Sequence, residues 1–169
     1  MSNLAAIILN NKEQLTGTCG MYLDEPVSNW PQLQVTWSEK PNERYMAFDG
    51  DIPEWAAPPE NLLLGHALIS DIHVHLIYAR RIDNVEQLRE GAIDDKIEEV
   101  INHWINGDAL TPPALRIVEI NSFKKIDIPG GNHRFNVANL SGENTINFLA
   151  SSSDSQSLEE LIPSLKWKS

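Results

Sequence analysis

Ile72, Val74, Leu76 and Tyr78 alternate with Asp71, His73, His75 and Ile77, and this period of two predicts a strand over 72–78 with one apolar face, ended by Arg80-Arg81. Leu33, Val35 and Trp37 predict an earlier strand that closes at Ser38 to Asn42. Pro26, Pro31, Pro41, Pro53, Pro58 and Pro59 exclude long helices between Pro26 and Pro59. Trp30, Trp37 and Trp55 fall in the same stretch and read as core anchors of a loop-rich extension.

Further along, Asp83-Asn84 caps a short helical turn through Leu88. Ile97, Val100, Ile101, Trp104 and Ile105 recur at the spacing of one buried helical stripe, predicting a helix over 94–105 with Gly107 just past its end. Pro112-Pro113 then forces an extended connection. Ala114 to Ile120 and Lys124 to Ile128 read as a hairpin turning near Asn121-Ser122, broken by Pro129-Gly130-Gly131. Asn132 to Leu140 reads as a helix with Phe135, Ala138 and Leu140 facing inward, and Thr145 to Ala150 as a final short strand. Ser151 to Ser157 reads as a polar linker, followed by a helical turn around Leu158 to Leu161 and a Lys166-Trp167-Lys168 tail. The expected architecture is α+β: a small mixed sheet with helices over 66–150, an extension with some β over 1–65, and a linker and tail over 151–169.

Composition narrows the function classes. The 169 residues carry 13 Lys+Arg against 24 Asp+Glu, a formal charge of −11, so a broad basic surface for duplex DNA is excluded. The lone Cys19 excludes an internal disulfide and a cysteine-rich zinc site. The longest apolar run, Leu4 to Leu9, falls far short of the ~20 residues that span a bilayer and lacks the flanks of a signal peptide, so no membrane partner and a cytoplasmic address are expected. The charge is uneven: residues 1–60 hold three basic and nine acidic side chains and residues 61–110 four and nine, whereas residues 111–150 hold four basic and three acidic.

That non-acidic window contains Lys125-Ile126-Asp127-Ile128-Pro129-Gly130-Gly131-Asn132-His133-Arg134, in which a strand meets two glycines and a helix opens directly after them. Free amides of a first helical turn attract anions. Arg134 has a guanidinium suited to phosphate oxygens, and His133 can donate, accept or carry a proton. The competing reading is a tight strand-to-helix turn, with Asn132 as its N-cap and Arg134 paired to a surface carboxylate. Asp127 could hold magnesium, act as a base, or pair with Lys125. Asp71, His73 and His75, with His66, could ligate a metal or form the solvent face of a half-buried strand. Asp94-Asp95 and Glu98-Glu99 form either a solvated helix face or a surface imitating DNA phosphates.

Residues 95–150 resemble the ParB/sulfiredoxin-like superfamily, whose hallmark is a strand and then G-x-x-R opening a helix, here Gly131-Asn132-His133-Arg134. Phe135 to Gly142 keeps the family's alanine, leucine and closing glycine in register, and Thr145 to Leu149 stands where the family has an apolar strand. Strand 72–78 with Arg80-Arg81 corresponds to the family's first box, extending the likeness to roughly 71–150. The resemblance implies nucleotide binding, of ATP or CTP with Mg2+, at Gly130, Gly131, Asn132 and Arg134, with Arg80 and Arg81 as further phosphate contacts. It implies phosphoryl transfer or nucleotide hydrolysis in which Arg134 steadies phosphate charge, His133 is donor or proton carrier, and Asp127 assists. The chain departs from sulfiredoxins in having Asn132 where they have a cysteine. It departs from partition proteins in leaving about twenty residues after residue 150, too few for their DNA-binding region. Two other functions remain open: a non-catalytic interaction protein using its acidic surface on a basic protein partner, as an inhibitor or immunity protein would, and a ParB-like nuclease, which the net charge of −11 disfavours.

Overall fold

The computed structural model describes residues 22–91 and 94–168. Cys19 and the run Leu4 to Leu9 lie outside the described residues. Along the chain, β1 (Leu63–Leu68) leads into α1 (Ile69–His73), α2 (Val85–Gly91) and α3 (Asp94–Ile105). The hairpin β2 (Ala114–Ile120) and β3 (Phe123–Gly130) follows, then α4 (Asn132–Leu140), β4 (Thr145–Ala150), α5 (Ser155–Leu161) and β5 (Lys166–Trp167). The strands form one open sheet in the order β3-β2-β4-β1-β5. The β2–β4 pair is parallel and the other neighbours are antiparallel. The class is α+β.

Side-chain alternation along these strands separates two cores. On one face Ala67, Leu115, Ile126, Ile146 and Phe148 pack with Ile97, Ile101 and Trp104 of α3 and Phe135 and Ala138 of α4. On the other, Leu64, Ala114 and Leu149 meet Ala47, Phe48, Ala56 and Leu62 of the proline-rich segment, with Trp55 at the margin. That segment forms short 3-10 turns, the longest Pro41–Ala47, because its prolines leave no room for an α-helical ladder. Trp30 is buried and its indole N–H donates to the Tyr22 carbonyl at 2.7 Å. Residues 22–62 are therefore part of both cores, and β1 runs across the division drawn at residues 65 and 66.

Several expectations hold closely. The helix over 94–105 and the strands over 114–120 and 145–150 form as read. Asn84 caps α2 by accepting the Gln87 amide at 2.9 Å, and the hairpin turns on the positive φ of Asn121 and Ser122.

Four expectations are corrected. Residues 72–78 are not a strand: α1 and a turn occupy them, and Leu76 makes only a single bridge to Ile126. Burial explains the misreading, since Ile72 and Leu76 are 0% and 2% exposed while Val74 and Tyr78 are 57% and 94% exposed. The true period is four. The 33–37 stretch is extended but makes only the Trp37–Leu110 bridge, lining the core without a ladder. Ser151 to Ser157 is no linker: a 3-10 turn (Ser152–Asp154) runs into α5, whose Leu158 is fully buried, and Trp167 in the tail pairs with Gly65 as a sheet edge. Within the acidic run on α3, Glu98 is buried rather than solvated.

Because α5 is core and not tether, Leu158→Ala should cost about 2–5 kcal/mol, the range for emptying a buried leucine site. Urea denaturation monitored by tryptophan fluorescence reads this directly; a variant within ~0.5 kcal/mol of the parent would place the C-terminal segment outside the cooperative unit.

Candidate binding site at the strand-to-helix bend

The Gly130-Gly131 bend is built by close backbone approach. A Cβ on Gly130 would collide with the Ala47 carbonyl oxygen, and a Cβ on Gly131 would lie 2.7 Å from Pro113 Cα and 2.8 Å from Arg134 Nη2. Gly131 also has φ +80° and is the N-cap of α4, so Asn132 is the first helical residue rather than the cap. The glycines admit the chain's own segments.

Arg134 shows the same inward commitment. Its Nη1 donates to the Thr111 carbonyl at 2.8 Å and to the Met46 carbonyl at 3.3 Å, and its Nη2 donates to the Ala47 carbonyl at 2.9 Å. Burial pushes its pKa below the ordinary arginine value, with Asp49 and Glu99 opposing that shift. Thr111 strengthens the tie by donating from Oγ1 to the Glu43 carbonyl at 3.0 Å. The resemblance makes Arg134 a phosphate contact; here three of its five N–H donors are already taken by main-chain carbonyls.

Beside the bend lies a cavity of about 800 Å³ between the 37–49 segment, α3, residues 108–111 and the start of α4. Gly131, His133 and Arg134 line it, as do Trp37 and five carboxylates: Glu39, Glu43, Asp49, Glu99 and Asp108. The cations facing them are Lys40, Lys96 and Arg134. Asp49 pairs with Lys96 at 2.6 Å, and that hydrogen bond holds the carboxyl below its usual pKa. Glu43 accepts from the Ser38 hydroxyl, which lowers its pKa, and lies 3.4 Å from Lys40. Glu39 accepts from Lys168, with the same effect. His103 places Nδ1 2.9 Å from Asp108 and Nε2 3.9 Å from Glu99. Burial, aided by Lys96, pulls the His133 pKa below 6.5, so its imidazole is neutral at pH 7.

The other residues singled out from sequence are dispersed. Arg80 donates from Nε to Asp127 Oδ1 at 2.9 Å, the same oxygen that accepts the Ile128 amide at 2.8 Å; Asp127 pairs with Arg80, not with Lys125. Neither Arg80, Arg81 nor Asp127 lines the cavity. His66 bonds Asn147 at 2.8 Å, His73 lies 3.2 Å from Asp83, and Asp71 accepts the Ser164 amide at 3.1 Å. Among the described residues, no group of three or more His, Cys, Asp or Glu converges to hold a metal ion. Sequence reasoning missed Asp49, Lys96, His103 and Asp108 as site residues. The pairing of Asp49 with Lys96 had no local signal, because they stand 47 positions apart.

No family model, no curated protein and no solved structure matches this chain.

If Arg134 fastens the fold, Arg134→Ala should destabilise it by at least about 1–3 kcal/mol, the cost of one buried acceptor left unmet. Urea unfolding without ligand tests this, and an unchanged midpoint would leave the side chain a ligand contact only. The pH dependence of His133 has a definite sign. As pH falls through 6.5 the unfolded chain takes a proton that the folded imidazole resists, so stability declines on acidification until the lower folded pKa is passed. His133→Asn should flatten that part of the stability-against-pH curve; unchanged slopes would contradict the assignment.

Proposed function

We propose that this chain is an acidic binding protein whose cavity at the Gly131–Arg134 turn takes a cationic group from a basic protein partner. One observation carries the reading: five carboxylates line the cavity while the guanidinium beside them is engaged by main-chain carbonyls. A Lys or Arg side chain entering there meets Glu43, Asp49 and Glu99, with the Trp37 ring available for cation–π contact. The net charge of −11 extends the attraction outward and speeds encounter with a basic partner. Neutral His133 adds no repulsion.

The donor set fits a nucleotide triphosphate with Mg2+ less well. Lys96 is already paired with Asp49 and Lys40 with Glu43, and the five carboxylates repel phosphate oxygens. The nucleotide reading keeps one supporting observation: α4 opens beside the cavity, whose volume lies within the ~300–1,000 Å³ of small-molecule sites.

Titration with an arginine- and lysine-rich peptide, followed by tryptophan fluorescence and calorimetry, separates the two. The peptide should bind with an affinity that falls as salt rises, and the double variant Asp49→Asn, Glu99→Gln should weaken it about tenfold or more. ATP or CTP with Mg2+ should leave the melting temperature unchanged. A nucleotide-dependent rise lost in Arg134→Lys, with no peptide binding, would reverse the assignment.

A further inference from the structure

A second cavity, of about 560 Å³, lies where α1 meets the residues before α2 and the end of α4, and shares no lining residue with the first. Ser70, His73, Asp83, Asn139 and Asn144 line it. Ser70 and His73 stand three apart on α1, a spacing that puts both on one helical face with Cβ atoms about 5–6 Å apart. The Ser70 side chain is exposed, and no described residue engages its hydroxyl. His73 is largely buried, its side chain 16% exposed, and its Nε2 lies 3.2 Å from Asp83 Oδ1 and 3.3 Å from the Ile82 carbonyl oxygen. Both partners are acceptors, so the ring proton belongs on Nε2 and the lone pair on Nδ1.

We infer that Ser70, His73 and Asp83 form a serine-nucleophile site for small carboxylic esters, with His73 as base, its tautomer set by the Ile82 carbonyl, and Asp83 beside it to balance the imidazolium charge. The constellation is the nucleophile, base and orienting acid that acyl transfer requires. In the acylation step, Ser70 Oγ bonds to the ester carbonyl carbon while its proton passes to His73 Nδ1, and the carbonyl π pair moves onto oxygen. Asn139 and Asn144 line the same cavity, and their side-chain amides would serve as donors to that oxyanion. Collapse re-forms the carbonyl and breaks the bond to the alcohol oxygen, which leaves with the proton held by His73. Water then attacks the acyl carbon, giving a proton to His73; collapse of that adduct breaks the bond to Ser70 Oγ, His73 returns the proton to Oγ, and the carboxylic acid leaves. Leu68 and Val74, 41% and 57% exposed, supply an apolar wall, whereas Asp83 and Glu143 turn away anionic substrates. The substrate class is therefore a small neutral or cationic ester.

The test is labelling of the full chain with a fluorophosphonate probe, located by peptide mass spectrometry, alongside turnover of p-nitrophenyl acetate. An adduct on Ser70 is expected, absent in Ser70→Ala and formed at least ~100-fold more slowly in His73→Gln, the range for losing a general base. Asp83→Asn, at a largely exposed carboxylate that leaves folding intact, should slow labelling too. No adduct on Ser70, or labelling undiminished in both His73→Gln and Asp83→Asn, would overturn the site. Peptide binding at the first cavity is read separately and does not depend on the result.

Discussion

The contact on which the rest depends is the fork of Arg134 on the carbonyls of Met46, Ala47 and Thr111. A half-buried guanidinium needs acceptors, and main-chain carbonyls supply them without bringing a second formal charge into the interior. The price of that arrangement is positional: the 43–47 segment must lie against the bend, which only glycine at 130 and 131 permits. Once it lies there, Phe48 and Ala47 close one core over Leu64 and Leu149, and Trp37 reaches the edge of Trp104 in the other at 5.2 Å between ring centroids.

The same placement makes the first cavity acidic. Asp49, Glu43 and Glu39 all arrive on the segment that Arg134 fastens, and they meet Glu99 and Asp108 from α3 and the loop after it. Each carboxylate has a partner, which lets five of them share one space. Those partners are lysines and a histidine near the rim, long or titratable groups that an incoming cation can replace at modest cost, because exposed pairs contribute little. On the reading proposed above, the fixed guanidinium and the exchangeable rim would favour a cation over an anion.

Legibility followed the range of the interactions. The stripe Ile97, Ile101, Trp104, the hairpin with its Asn121-Ser122 turn, and the strand-glycine-helix bend are signalled by residue types within a few positions of one another, and all could be read along the chain. Arg134 was found for its position in that bend, yet its partners stand 23, 87 and 88 residues away. Asp127 was read as a magnesium ligand, a base or a partner of Lys125, and the cation it meets is Arg80, 47 residues distant. The 72–78 alternation misled for a different reason: Ile72 and Leu76 satisfy a period of two and a period of four equally, and only the exposure of Val74 and Tyr78 separates them.

By itself, then, the order of residues determined the α+β class, the helix over 94–105 and the hairpin that follows it, the bend at Gly130-Gly131, and the excess of negative charge. These rest on periodicity, backbone steric freedom and net charge, which need no knowledge of what lies across the fold. Tertiary packing alone decided that residues 22–62 belong to both cores, that α5 packs into the core and β5 edges the sheet rather than trailing from it, and that Arg134 faces carbonyls. It also brought Asp83 to His73 and Asp49 to Lys96. Those outcomes depend on which distant surfaces exclude water together, a property of the assembled chain.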